Sequence, residues 1–281
     1  MKNTFLKYYE QENDSSFFPA ALTIAGSDCG GGAGVQADLR TFSAFGVYGC
    51  SAITALTAQN PAGISGIFPV DPAFVTAQIS VVLEMFQIGA AKTGMLGSAE
   101  MVKAVTSALK NFKGILTVDP VIFSTSGTPL LQESAVKVLE EELLPMADWI
   151  TPNRQEAEVL SGIRIRTESD ALQAALCCAR KFQCGIVLKG GHFSGTDSAD
   201  LILPGPGEKA YTISAERLTL APLTGHGTGC TFSAAMTAAF AMGAAPDQAV
   251  KQAKQFVFDS LKYAVSPGKN FKAMFPKDFI K

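Results

Sequence analysis

Leu22-Thr23-Ile24-Ala25-Gly26-Ser27-Asp28 is a short apolar run that stops on a glycine, a hydroxyl and a carboxylate. The pattern returns four times. Ala90-Ala91 precedes Lys92-Thr93-Gly94-Met95, Ile115-Leu116-Thr117-Val118 precedes Asp119-Pro120, Trp149-Ile150 precedes Thr151-Pro152-Asn153, and Ile186-Val187-Leu188 precedes Lys189-Gly190-Gly191. Between these runs lie segments of helical period near residues 33–45, 72–87, 98–112, 132–144 and 168–183. Apolar runs without alternation, separated by helices, predict an α/β fold with a central, mostly parallel sheet and helices on both faces. Ligands of such open sheets collect at the carboxyl ends of the strands, so the polar stops are expected along one functional edge.

A second stretch says what binds there. Gly225-His226-Gly227-Thr228-Gly229-Cys230 is glycine-dense and runs into the almost wholly apolar segment 231–243. A helix that starts on such small residues exposes the unpaired N–H groups and positive dipole end of its first turn, which attract anions and phosphate above all. Cys230 is the first residue of that helix with reactive chemistry. Its place fits a group that accepts a proton from a nucleophile beside the phosphate, which points to phosphoryl transfer.

Composition narrows the field. The chain has 281 residues, 47% apolar and 17% charged, with a net charge of −2, enough for a sizeable core and without the basic excess that nucleic acid or an anionic membrane would call for. No segment reaches the roughly 20 apolar residues of a membrane span. The six cysteines (29, 50, 177, 178, 184 and 230) show no CxxC spacing, which argues against zinc and against a secreted disulfide framework and indicates the cytoplasm. Residues 1–19 mix Lys, Glu, Gln, Asn and Asp with Phe and Tyr and read as an N-terminal extension without a signal-peptide core; residues 20–281 read as one domain.

Other nucleotide and hydrolase motifs fail. Gly32-x-Gly34-x-x-Ala37 matches a relaxed dinucleotide fingerprint, but no Asp or Glu lies between Asp38 and Asp71 to hold a ribose. There is no GxxxxGK[ST] and no GxSxG, and two histidines (192 and 226) cannot build a His-rich metal site.

Several motifs occur in a fixed order: residues 22–28, Gly31-Gly32-Ala33-Gly34-Val35-Gln36-Ala37-Asp38-Leu39, Ile53-Thr54-Ala55-Leu56-Thr57-Ala58-Gln59-Asn60, Lys92-Thr93-Gly94-Met95-Leu96, Lys189-Gly190-Gly191-His192 and His226-Gly227-Thr228-Gly229-Cys230. Together, over roughly residues 20–265, they resemble the hydroxymethylpyrimidine/phosphomethylpyrimidine kinases of thiamin biosynthesis, in the ribokinase superfamily. The resemblance implies a single ribokinase-like domain and a homodimer. It implies ATP and Mg²⁺ as cofactors and, as substrates, 4-amino-5-hydroxymethyl-2-methylpyrimidine and its monophosphate. It places Gly26, Asp38, Gln59, Met95 and Val121 around the pyrimidine, Lys189, Asn153 and Thr228 beside ATP, Glu156 beside the magnesium, and Gly227, Gly229 and Cys230 at the reacting phosphate, with Cys230 as the base.

Three motifs depart from that family's pattern. Thr125-Ser126-Gly127 stands where it has Lys-Ser-Gly, Thr224-Gly225 where it has Asn-Thr, and Ser266-Pro267-Gly268-Lys269-Asn270 barely preserves its glycine-rich C-terminal motif. Two other readings share the features: a pyridoxal or pyridoxine kinase of similar build, and a non-catalytic pyrimidine-binding relative. A reactive cysteine within residues 121–131 would favour the pyridoxal kinase, and none is there.

Plainer readings stand beside several of these residues. Asn153-Arg154-Gln155-Glu156 has the spacing of a helix capping box. Lys189 can be an ordinary strand-end lysine, Asp38 a solvated helix carboxylate, Met95 plain core and Cys230 an inert small residue. Gln59 ends an apolar run, so its amide requires a ligand or a backbone partner.

Overall fold

The computed structural model describes residues 18–123, 127, 129–190, 197–221, 223–268 and 271–277. Most of the proposed N-terminal extension, Thr125, Ser126, Gly191, His192, Lys269 and Asn270 lie outside the described residues. Among the described residues, nine strands form one sheet in the order β3-β2-β1-β4-β5-β6-β7-β8-β9. They are β1 (Ala20–Asp28), β2 (Tyr48–Asn60), β3 (Gly63–Pro69), β4 (Ile88–Thr93), β5 (Ile115–Val118), β6 (Trp149–Ile150), β7 (Gly185–Leu188), β8 (Asp197–Leu203) and β9 (Tyr211–Glu216). Pairing is parallel from β2 through β1, β4, β5 and β6 to β7; β3, β8 and β9 join antiparallel at the two margins. The five apolar runs read from the sequence are the five adjacent strands β1, β4, β5, β6 and β7.

Helices cover both faces, as the non-alternating strands require. One core packs side chains such as Leu22, Ile24 and Leu188 under α2 (Pro72–Met85), α3 (Ala99–Leu109), α4 (Glu133–Val138, continued by a π turn at Leu139–Leu143), α5 (Arg154–Ser161) and α6 (Glu168–Phe182). The other packs Ala21, Ala90, Trp149 and Val187 under α1 (Gly34–Ala44), α7 (Thr228–Ala241) and α8 (Pro246–Lys262). Every α7 residue from Thr231 to Ala241 is buried, which accounts for a segment apolar on all sides: the helix is enclosed by the sheet, α1 and α8. Among the described residues no helix is long and apolar enough to cross a membrane, and all six cysteines are free.

Chain order reverses around β1, which has β2 on one side and β4 on the other. Such a switch point opens a crevice at the carboxyl edge, and two glycines hold the segments there close together. Gly34 has φ +59° and a Cβ on it would overlap the Gly26 carbonyl; Gly227 has φ +81° and a Cβ on it would overlap the Gly32 carbonyl. Both need glycine for backbone conformation and for space.

Candidate active site

Helix α7 starts on Gly227, and no side chain caps it. Its first i→i−4 bond runs from the Thr231 N–H to the Gly227 carbonyl, and the Thr228 N–H bends back to the Gly225 carbonyl at 3.4 Å, so the Gly229 and Cys230 N–H groups of the first turn have no partner within the helix and suit an anion. Thr228 turns its hydroxyl back to the Gly225 carbonyl, 3.1 Å away, which fixes the loop rather than offering the hydroxyl outward.

A cation lies beside this helix end. Lys189 follows β7, and its Nζ would be 3.2 Å from a Cβ on Gly229, so the missing side chain is what lets the ammonium approach. Lys189 is paired to Asp119 Oδ1 at 2.9 Å, and Ser233 donates to Asp119 Oδ2. Burial works against the Lys189 ammonium, but Asp119 and Glu156 more than offset it and hold it above the ordinary lysine range. Lys189 is therefore a fixed positive charge next to a positive helix end.

Asn153 and Glu156 form the capping box of α5: the Asn153 side chain accepts from the Glu156 N–H and Glu156 Oε2 from the Asn153 N–H. Glu156 also reaches further, since its Oε1 accepts from the Ile122 N–H at 3.1 Å. Burial pushes this carboxyl up to about 7, against the pull of Lys189. Val121, just before that contact, has φ +42°, a strained conformation for a β-branched residue, held where the chain leaves Asp119-Pro120 for the cavity wall.

Cys230 is the third residue of α7. Burial raises its thiol to about 11, with Lys92 pulling it down and Asp38 and Asp119 opposing that pull. At neutral pH the side chain is a thiol, so a base role requires it to ionise with help from the bound reactants.

Beside the α7 helix start, the glycine-rich loop is built on Asp28, the last residue of β1. Its Oδ1 accepts from the Gly30 N–H, and its Oδ2 from the N–H groups of Gly32 and Ala33 and from His226 Nε2 at 2.9 Å. Burial disfavours this carboxylate, and the hydrogen bonds from His226, Gly30 and Ala33 outweigh it, so it stays below the usual range. One acidic side chain thus shapes the glycine-rich loop and ties it to α7. Gln59, near the end of β2, lies 3.3 Å from His226 and 3.1 Å from Thr57 Oγ1.

Gln59, Val121, Asn153, Glu156, Lys189, Gly227, Thr228, Gly229 and Cys230 border one cavity of about 740 Å³, a size suited to a nucleotide with a small substrate. The remaining three expected residues do not border it. Gly26 is buried, and a Cβ on it would lie 3.4 Å from Met95 Sδ, so these two pack against each other instead. Asp38 is fully buried, with Lys92 Nζ 2.9 Å from both carboxylate oxygens and the Thr23 hydroxyl 2.6 Å away. A carboxylate so buried, with three of its four acceptor sites taken by Lys92 and Thr23, is a structural ion pair rather than a ligand contact. Both the pocket-lining and the solvated readings of Asp38 are corrected to a buried ion pair.

Asp28, Asp119 and His226 occur within the quoted motifs, but sequence reading gave them no role; the rule that strand ends carry chemistry would have found both aspartates. Asp200 and Lys254 left no signal. Asp200 accepts from the Gly190 N–H at 2.9 Å and pairs with Lys254 at 2.8 Å, so it fixes the turn that carries Lys189. Among the described residues there is no cluster of three or more potential metal ligands. Asp119 and Glu156, both on the cavity wall, suit a cation held by one or two carboxylates together with phosphate oxygens and water, as Mg²⁺ usually is.

An uncapped helix start, a fixed ammonium and a side-chain amide bordering one cavity make the arrangement of a small-molecule phosphotransferase, here on a ribokinase-like sheet. The family model for phosphomethylpyrimidine kinase matches residues 28–274, and the chain belongs to that family. A hydroxymethylpyrimidine/phosphomethylpyrimidine kinase of Haemophilus influenzae is 45% identical over 252 residues, covering 88% of this chain and 92% of that protein. The crystal structure of phosphomethylpyrimidine kinase from Clostridium difficile 630 matches with a TM-score of 0.74 at 37% identity, covering 85% of this chain and 97% of that one. The ADP complex of Bacillus subtilis pyridoxal kinase matches with a TM-score of 0.82 at 32% identity, covering 92% and 98%.

Proposed function

We infer that the chain transfers the γ-phosphoryl group of ATP to the hydroxymethyl group of 4-amino-5-hydroxymethyl-2-methylpyrimidine, and then phosphorylates the resulting monophosphate, in thiamin biosynthesis. The observation that carries this reading is the sharing of one cavity by Gln59 and the α7 helix start. Gln59 supplies a donor and an acceptor to an aminopyrimidine edge. The N–H groups of Gly229 and Cys230 and the Lys189 ammonium neutralise the charge of the transferring phosphoryl group, and positioning and charge stabilisation carry most of the rate. Cys230, in the minor thiolate form that has first released its own proton to solvent, receives the alcohol proton late in the transfer. Asp119 and Glu156 would hold Mg²⁺, which when bound would supply further positive charge to the phosphates.

The enzyme acts as a homodimer in the cytoplasm. Supporting self-association are exposed apolar side chains on α2 (Phe74, Val81 and Met85) and on the sheet-edge strand β3 (Phe68). Residues 20–281 act as one domain. The competing reading, a pyridoxal kinase, draws on the Bacillus subtilis likeness; against it stands the absence of a cysteine within residues 121–131. Phosphorus NMR of the protein with ATP and the pyrimidine alcohol tests the reading. A phosphomonoester resonance followed by a diphosphate ester is expected, and ADP formation without either ester would overturn it.

A further inference from the structure

His226, next to the α7 helix start, reaches both Asp28 and Gln59, and its role follows from counting donors and acceptors. Its Nε2 lies 2.9 Å from Asp28 Oδ2 and 3.3 Å from the Gln59 side-chain amide. Asp28 is held below the usual carboxylate range and offers only acceptors. His226 Nε2 therefore carries a hydrogen and donates it.

That donor settles which way the Gln59 amide faces. With its NH₂ toward His226, two donors would oppose each other. With its Oε1 toward His226, the oxygen shares the Nε2–H, and the NH₂ turns to Thr57 Oγ1. The Thr57 hydroxyl already gives its own hydrogen to the Ser27 carbonyl at 2.8 Å, so its oxygen is free to accept. Amide orientation of this kind is assigned from the hydrogen-bond network. The imidazole is itself fixed, because its Cδ2 packs where a Cβ of Gly32 would be, 2.6 Å away.

We propose that His226, held by Asp28, is a positioning residue that locks the Gln59 amide in one orientation and thereby makes the site select a 4-aminopyrimidine over its 4-oxo counterpart. This rests on the reading of Gln59 as the residue that meets the pyrimidine edge. With His226 and Thr57 engaged, Gln59 keeps one acceptor lone pair and one N–H for the cavity, side by side in a fixed order. A 4-amino edge offers a donor beside an acceptor; a 4-oxo edge offers the same two in reverse. A locked amide matches one and opposes the other, which is discrimination through unpaired polar groups. An amide free to rotate would satisfy either.

The test is titration calorimetry with 4-amino-5-hydroxymethyl-2-methylpyrimidine and its 4-oxo analogue, on the parent, His226→Phe, Thr57→Val, Gln59→Ala and the His226→Phe/Gln59→Ala double variant. The parent should favour the amino compound by about 10²-fold or more. His226→Phe should cut that preference about tenfold, and Thr57→Val should move it in the same direction. In the Gln59→Ala background, His226→Phe should leave the remaining preference unchanged, an interaction that a general loss of structure would not produce. An unaltered preference in both His226→Phe and Thr57→Val overturns the proposal, as does an equal effect of His226→Phe with and without Gln59. A parent that binds neither pyrimidine overturns the functional reading itself, and this proposal with it.

Discussion

Cys230→Ser, followed over pH, probes the reacting centre. The parent thiol is pushed up to about 11 by burial, so at pH 7 it lies four units (11 − 7) below its midpoint, and roughly one molecule in 10⁴ carries a thiolate. Ionising it at that pH costs about 5 kcal/mol, at 1.36 kcal/mol per unit. If the thiolate takes the alcohol proton, kcat must rise about tenfold per pH unit from pH 6 to 9, because more of the base form is present at each step. Cys230→Ser should lower kcat by about 10²-fold or more, the usual size of a general-base contribution, and should abolish the slope. Kinetics of ADP release with saturating ATP and pyrimidine measure both quantities. A kcat that is flat across this range and undiminished in the serine variant would refute the proton-transfer role.

Three further outcomes follow from the geometry. Gly227→Ala should weaken binding of a non-hydrolysable ATP analogue at least tenfold by calorimetry, since its Cβ would overlap the Gly32 carbonyl; Gly207→Ala, at a similar φ of +83° but with nothing within 4 Å, should show only the ~1–2 kcal/mol backbone cost and no nucleotide effect. Asp38→Asn should destabilise the fold by about 3–5 kcal/mol in urea titrations, because it leaves Lys92 buried without its counter-charge, while the pyrimidine KM of the folded protein stays unchanged. Glu156 binds its proton more tightly folded (about 7) than unfolded (4.5). Its contribution to stability is therefore complete below pH 4.5 and is lost as pH rises to about 7, and Glu156→Gln should remove that stretch of the Tm-versus-pH curve.

The five central strands were legible because strands buried on both faces have to be continuously apolar, and their polar stops mark the carboxyl edge. The margins were not. Asp197–Leu203 and Tyr211–Glu216 pair antiparallel with partly exposed faces, and their mixed sequences resemble loops. β2 appeared only as the apolar run before Gln59, and α8, whose start is marked by Pro246, carries too many charges on its outer face to stand out. In the site, glycines and the helix start were readable because backbone requirements leave a local trace. Asp38 was misplaced because its partner Lys92 is 54 residues away, and spacing along one helix cannot show a cross-element ion pair. His226 was overlooked for the same reason: what it does depends on Asp28, 198 residues earlier.

The central claim is that the cavity between Gln59 and the α7 helix start phosphorylates a pyrimidine alcohol. The most direct test is ATP-dependent ADP release, measured side by side as kcat/KM for 4-amino-5-hydroxymethyl-2-methylpyrimidine, its monophosphate and pyridoxal. Turnover of both pyrimidines is predicted, with pyridoxal poorer by about 10²-fold or more because its ring does not offer the donor and acceptor edge that Gln59 matches. A preference for pyridoxal, or no ADP release with any of the three, would contradict the account.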